Sequence, residues 1–253
     1  MPSIQLTTFT LIASLGLVSA FPTLANGSLD VRAEWQAPTD TDSRSPCPGL
    51  NTLSNQGILP RDGRGLTPAI VFDALTSTYN LDANGAGFLA NSTTGFLHAD
   101  GTFDLHDLAL HGAIEHNASL VHDDAASGER FAPAETNTTK FELMKALSDD
   151  GLNFDEADFA LAKHIIERGL PTPLSAKQQG LADLEPGLAL NVFGFVREDG
   201  TRAMSLDALE SVFKFNRLPE DFVAPETPVS IAAVSVTAGR MVARKNALNA
   251  YGL

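Results

Sequence analysis

Cysteine is nearly missing from this chain of 253 residues, which carries one, Cys47. With no second thiol there is no intrachain disulfide, so the fold has to hold by packing rather than by covalent staples. Positive charge is scarce too. Against 31 Asp and Glu stand 17 Lys and Arg, a formal net charge of -14 that repels nucleic acid and anionic membrane surfaces and argues against both as partners. Long apolar runs are few: residues 9–18 form one too short to span a bilayer, and no second one follows. Internal repeats and low-complexity blocks are absent, and the acidic stretch 149–155 lacks the ligand spacing of a calcium-binding loop, which leaves it a solvated turn.

The short apolar run ends at Val18-Ser19-Ala20, a small-residue site of the kind cleaved from secreted proteins, so residues 1–20 read as a signal peptide and the protein as secreted. Sequons at Asn26, Asn91 and Asn137 agree with a glycoprotein on that route. The rest of the chain is long enough to bury a core as one domain.

Cys47 lies between two prolines in Ser45-Pro46-Cys47-Pro48-Gly49-Leu50-Asn51. Pro48 suits the first position of a helix, where its missing N–H costs nothing and its φ is already helical. Cys47 is then the N-cap, its sulfur facing the free N–H groups of Gly49 and Leu50. That setting is expected to lower the thiol pKa and favour the thiolate, a strong metal ligand. The helix should stop at Gly57. In an isolated Pro-Cys-Pro, an inert buried cysteine is the plain alternative.

Helical signals dominate beyond this point, and the expected fold is mainly α, a single helical domain with long loops. Thr67-Pro68 reads as an N-cap and first helical residue leading into Ile70, Val71, Ala74, Leu75 and Tyr79. The glycine-rich stretch 80–104 reads as loops with a short helix around Phe88 and Leu89. A short helix near Leu105 and Leu108 should deliver residues 115–119, and helices are expected over 139–147, 155–166, 188–193 and 206–215. Pro219, Pro225 and Pro228 then stiffen an extended tail.

Residues 46–63, from Pro46-Cys47-Pro48 through a leucine and asparagine helix to Leu59-Pro60-Arg61-Asp62-Gly63, resemble the proximal helix of the heme-thiolate peroxidases, the chloroperoxidase and short unspecific peroxygenase family. The resemblance continues in Glu115-His116-Asn117-Ala118-Ser119, which looks like the family's Glu-His-Asp-x-Ser motif with Asn117 in place of aspartate. It extends to Leu184-Glu185-Pro186-Gly187-Leu188-Ala189-Leu190-Asn191-Val192-Phe193-Gly194, where Glu185 matches the distal acid-base glutamate and Pro186 replaces a small residue. Arg217-Leu218-Pro219 matches the closing helix.

The resemblance implies heme b held by Cys47 as axial iron ligand, with Gly49 and Leu50 beside the sulfur, whose negative charge promotes cleavage of the peroxide O–O bond. It implies Glu185, with His116, as acid-base group, and a magnesium-type cation on Glu115, the His116 carbonyl and Ser119. Leu181, Leu188 and Ala189 are the expected channel residues. Asn117 can only hydrogen-bond to His116, which bears on the pH optimum, and it creates a further sequon expected to stay unglycosylated. Pro186 restricts the Glu185 backbone and suits the first position of a helix.

The expected organisation is a signal peptide (1–20), an N-terminal extension (21–44), the peroxidase domain (45–225) and a tail (226–253) packed on or trailing from it. The implied function is a secreted enzyme that takes hydrogen peroxide and a small apolar or aromatic substrate and transfers oxygen, with halide or phenol oxidation as side activities. With its thiol on iron, no disulfide-linked dimer is expected. The competing reading is a secreted binding protein on the same scaffold that has lost turnover.

Overall fold

The computed structural model describes residues 34–251; the signal peptide and the Asn26 sequon lie outside the described residues. These residues form eight α-helices, short 3-10 and π segments and one small sheet, a mainly α structure. Each early helix begins where local chemistry calls for it. α1 (Pro48–Asn55) has Cys47 as N-cap in an extended conformation and Pro48 at its first position, and Gly57 follows its end at φ +73°. α2 (Pro68–Tyr79) starts on Thr67, whose side chain accepts from the Ile70 N–H, and ends on left-handed Asn80. The 115–119 loop is reached through a 3-10 turn, Leu105–Ala109. α4 (Thr138–Lys145) is capped by Asn137. α5 (Glu156–Arg168) is capped by Asp155, which accepts from the Ala157 and Asp158 N–H groups while Asp158 accepts from its own N–H.

Three stretches differ from the sequence expectation. The glycine-rich stretch after Asn80 is a ten-residue helix, α3 (Ala83–Ser92), because Asp82 caps it through the Gly85 N–H, and its small residues let it sit against the chain near Val229. A Cβ at Gly85 would lie 3.3 Å from the Val229 carbonyl oxygen. The helix expected to begin near Leu188 begins twelve residues earlier. α6 (Ala176–Phe193) is nucleated by a capping box between Ser175 and Gln178, and Pro186 sits inside it rather than at its start. The stretch read as an extended tail contains the longest helix, α8 (Ile231–Tyr251), which packs on α5 and α6. It comes close at Gly187, where a Cβ would lie 3.0 Å from the Val234 carbonyl oxygen. Glu156 of α5, fully buried, accepts two bonds from Arg240 of α8, and Lys245 of α8 reaches Glu167 of α5 and Asp183 of α6.

The sheet was not anticipated, since its strands are two to four residues long. β1 (Asn153–Asp155), β3 (Arg202–Ser205) and β2 (Phe195–Val196) pair antiparallel in the order β1-β3-β2, with Phe154 opposite Met204 and both side chains buried. α7 (Leu206–Leu209) follows and runs into a π-helical segment, Glu210–Lys214.

Two apolar clusters make the core. One gathers α1, α2 and α3 around Leu53, Leu75 and Phe103, the other α4, α5 and the sheet around Phe141, Phe154 and Phe159; Phe193 of α6 touches both. Where they meet, side chains of both turn toward one cavity.

Candidate active site

The Cys47 turn is held by side-chain amides. Asn51, buried, accepts from the Ser45 N–H at 3.0 Å and donates to the Ser45 carbonyl at 2.7 Å and to the Asn216 side-chain oxygen at 2.9 Å. The Cys47 N–H donates to the Ser45 hydroxyl. Arg44 clamps the Asn55 amide oxygen and the Arg61 carbonyl, and Arg61 donates back to the Asn55 carbonyl at 2.6 Å. Gly57 makes room for that arginine: a Cβ there would lie 2.8 Å from its guanidinium. α1 thus buries a polar face on which Asn51 and Asn55 are held by hydrogen bonds, while Leu53 enters the apolar core.

Behind the turn, the Tyr79 hydroxyl donates to the Gly49 carbonyl at 2.8 Å, and its ring meets Phe193 edge to face. Burial pushes the Tyr79 hydroxyl well above its ordinary pKa, so it stays a neutral donor. Spacing on α2 marked Tyr79 only as apolar, and its role in steadying the cysteine turn is visible only in three dimensions.

Cys47 opens on the cavity, which makes it solvent-accessible, while protein surrounds it on every other side. Burial pushes its thiol up; the N–H groups of Leu50 and Gly49 pull it down, and the negative Glu185 adds to the rise. The net direction corrects the expectation of a lowered pKa. Helix N–H groups do face the sulfur, but desolvation of the thiol outweighs them.

The second wall belongs to α6. Glu185 lies in the middle of this helix, next to the internal Pro186. One carboxylate oxygen, Oε1, meets the Ser119 hydroxyl at 3.5 Å and the Leu120 N–H at 3.4 Å. The other, Oε2, is buried without a hydrogen bond and has the Lys163 ammonium 3.7 Å away. His116 borders the same cavity, its Nδ1 2.9 Å from the Asn117 carbonyl. A carbonyl only accepts, so Nδ1 carries the proton and Nε2 is left free to accept. The Asn117 amide oxygen is itself buried without a partner.

Cys47, Gly49, Leu50, Glu115, His116, Ser119, Leu181, Glu185, Leu188 and Ala189 all border one cavity of about 300 Å³ with predominantly apolar walls. A Cβ at Gly49 would stand 4.0 Å from the Cys47 sulfur, so glycine leaves that face of the thiol clear. An apolar slot with a thiol on its wall and a carboxylate oxygen lacking a partner fits a heme bound through sulfur. The cation set fits less well. Of the three expected ligands, Glu115 already has His111 Nδ1 2.7 Å from its Oε2, and the Ser119 hydroxyl is 3.5 Å from Glu185 Oε1.

Lys163 was missed. On α5 the apolar stripe Phe159, Ala162 and Ile166 predicts a buried face, and Lys163 stands on it, four residues after Phe159. A lysine inside an apolar stripe is the signal that could have found it.

A mainly α chain with a cysteine N-cap and a helical carboxylate bordering one apolar cavity is the arrangement of a heme-thiolate peroxidase. The family model described as "Peroxidase, family 2" matches residues 33–227, and the chain belongs to this family. An aromatic peroxygenase of Cyclocybe aegerita is 26% identical over 243 residues, covering 80% of this chain and 60% of that protein. An aromatic peroxygenase of Coprinellus radians is 26% identical over 226 residues, covering 79% and 85%. A chloroperoxidase of Leptoxyphium fumago is 31% identical over 140 residues, covering 49% of this chain and 36% of its own length.

Proposed function

We propose that the protein is a hydrogen-peroxide-dependent heme-thiolate oxidoreductase that transfers oxygen to small apolar or aromatic molecules, with halide and phenol oxidation as side activities. The observation that carries this reading is that Cys47 and Glu185 open on the same apolar cavity. Family membership and the two aromatic peroxygenases among its relatives support it.

Heme iron, when bound through Cys47, supplies the centre at which peroxide is cleaved. The rest is the work of the chain. The Ser45, Asn51 and Tyr79 bonds fix the cysteine turn, and the Gly49 and Leu50 N–H groups donate toward the sulfur and temper its charge. Glu185 takes the proton from one peroxide oxygen and returns it to the other, which leaves as water. His116, with Nε2 free, stands on the same wall and can share that proton. Apolar side chains, Leu181, Leu188 and Ala189 among them, exclude water and receive an apolar substrate.

Secretion and glycosylation belong to the same reading. Asn91 is exposed, as a glycan acceptor must be, whereas the Asn137 amide nitrogen already donates to Asp123 at 2.8 Å. The acidic surface favours neither nucleic acid nor an anionic membrane as partner, and no described helix is long and apolar enough to cross a membrane.

The test is Glu185→Gln in heme-loaded protein. Peroxide turnover of an aromatic substrate should fall by about 10² to 10⁴ with heme still bound and the reduced carbon monoxide band at the red-shifted position of a thiolate ligand. Near-normal turnover removes Glu185 from the mechanism, and an unshifted band in folded protein removes Cys47.

A further inference from the structure

A lysine is almost never fully buried unless something answers its charge and its three donors. Lys163 leaves only 3% of its surface exposed. Its ammonium donates to the Ala118 carbonyl at 2.7 Å and lies 3.7 Å from Glu185 Oε2. Behind it are Glu167 and Asp183, and Lys245 already takes up both of those carboxylates at 2.7 to 2.9 Å. The negative group left to Lys163 is Glu185.

The carbonyl it holds is also unusual. Ala118 has φ +62°, a left-handed conformation that a non-glycine residue keeps only where the surroundings enforce it. Two bonds do so here: the Ala118 N–H donates to Asp124 at 2.8 Å, and its carbonyl accepts from Lys163. The next two residues, Ser119 and Leu120, supply the long contacts to Glu185 Oε1. Both oxygens of the carboxylate are therefore located by groups that Lys163 either anchors or provides. Contacts of 3.4 and 3.5 Å are weak by themselves and cannot fix a carboxylate direction.

We propose that Lys163 is a positioning residue for Glu185: from α5 it ties down the 118–120 loop and answers the carboxylate charge, so that Glu185 is held at the cavity wall in the orientation that proton transfer needs. This rests on the reading above that Glu185 handles the peroxide protons. The lysine reaches no substrate; its nitrogen is spent on Ala118 and Glu185, and it acts through them.

The experiment compares Lys163→Met, which keeps the length and loses donors and charge, with Lys163→Arg, which keeps both, in the heme-loaded full chain. With hydrogen peroxide, kcat of Lys163→Met should fall about 10- to 100-fold while KM for the organic substrate stays within about twofold, and Lys163→Arg should recover most of the loss. With iodosylbenzene, an oxygen donor that has no peroxide proton to move, both variants should turn over like the parent. Independently of turnover, amide hydrogen exchange at Ser119 and Leu120 in the heme-free chain should quicken in Lys163→Met and return in Lys163→Arg. Should Lys163→Met fail to fold, Lys163→Gln, which retains a donor without the charge, takes its place with the same expectations for kcat. Unchanged kcat, an equal loss with both oxidants, or unchanged exchange at Ser119 and Leu120 overturns the proposal. A parent protein without peroxide turnover would instead overturn the function on which it rests.

Discussion

Replacing Asn51 by leucine isolates the contribution of the cysteine turn. The two side chains share the same branching and number of heavy atoms, so no cavity opens, but leucine can neither accept from the Ser45 N–H nor donate to the Ser45 carbonyl. Ser45 is 0% exposed, so water cannot take over either bond. Two orphaned backbone groups at about 1–3 kcal/mol each give about 2–6 kcal/mol, and about 4 is the expected loss. The lost contact to Asn216 adds little, because Asn216 is only partly buried. Against a stability of about 5–15 kcal/mol for a typical protein, that is a large fraction. Urea unfolding of the heme-free chain measures it, and titration with heme then reads whether the turn still presents its sulfur. Asn51→Asp separates geometry from charge: it keeps the bond from the Ser45 N–H, loses the donors and sets a carboxylate beside the cysteine turn. A loss below about 1 kcal/mol with full heme uptake would show that the turn is held by other contacts and that the asparagine network is ornamental.

Pro186→Ala should stabilise the fold by about 1 kcal/mol, since about 3 kcal/mol of helix-interior penalty is relieved and the lost ring contacts take back about 2; an unchanged urea midpoint would mean α6 has fully adapted to its proline. Arg240→Met removes the guanidinium from buried Glu156, which keeps the bond from the Arg202 N–H, and because the Arg240 side chain is 37% exposed it should cost about 1.5–3 kcal/mol, measured by thermal unfolding; a loss under about 1 kcal/mol would place the α5–α8 tie elsewhere. Burial raises Asp158 from the ordinary 3.8 to about 6, with Asp155 and Asp149 adding to the rise. The folded chain therefore holds this proton more tightly than the unfolded chain, and the stability it brings is full below pH 3.8 and is lost as pH rises through about 6. Asp158→Asn should flatten that part of the stability profile, and a profile equally steep in the variant refutes the assignment.

The residues that could be read from the sequence are those whose instructions are local. Pro48, Thr67-Pro68 and Asp155 state a helix start within four residues, and α1, α2 and α5 begin where they say. Where a local signal competes with tertiary contact, the sequence misleads. Gly85 and Gly87 argue for a loop, yet Gly85 serves the close approach to Val229 and α3 is helical through both. Pro186 argues for a helix start, yet Ser175 and Gln178 had already nucleated α6. α8 has valine, serine, threonine and glycine in its first half and little amphipathic pattern; α5 and α6 make it a helix by burying its small residues. The thiol pKa went astray for the same reason, since helix N–H groups are visible in a sequence and desolvation is not.

The two sides of the site divide along this line. The cysteine side is written in one stretch, residues 44–61, and closes on itself through Arg44, Ser45, Asn51, Asn55 and Arg61. The acid side is assembled from α6, α5 and the 118–120 loop, so no single segment reveals it. Asn216, left-handed at φ +46° just after the π segment, ties the cysteine side to that segment: its carbonyl accepts from Asn55 and Trp35 and its side chain accepts from Asn51. That same segment carries Val212 and Phe213 onto the cavity wall. The position of the sulfur is therefore set against the cavity lining by a residue that neither motif contains.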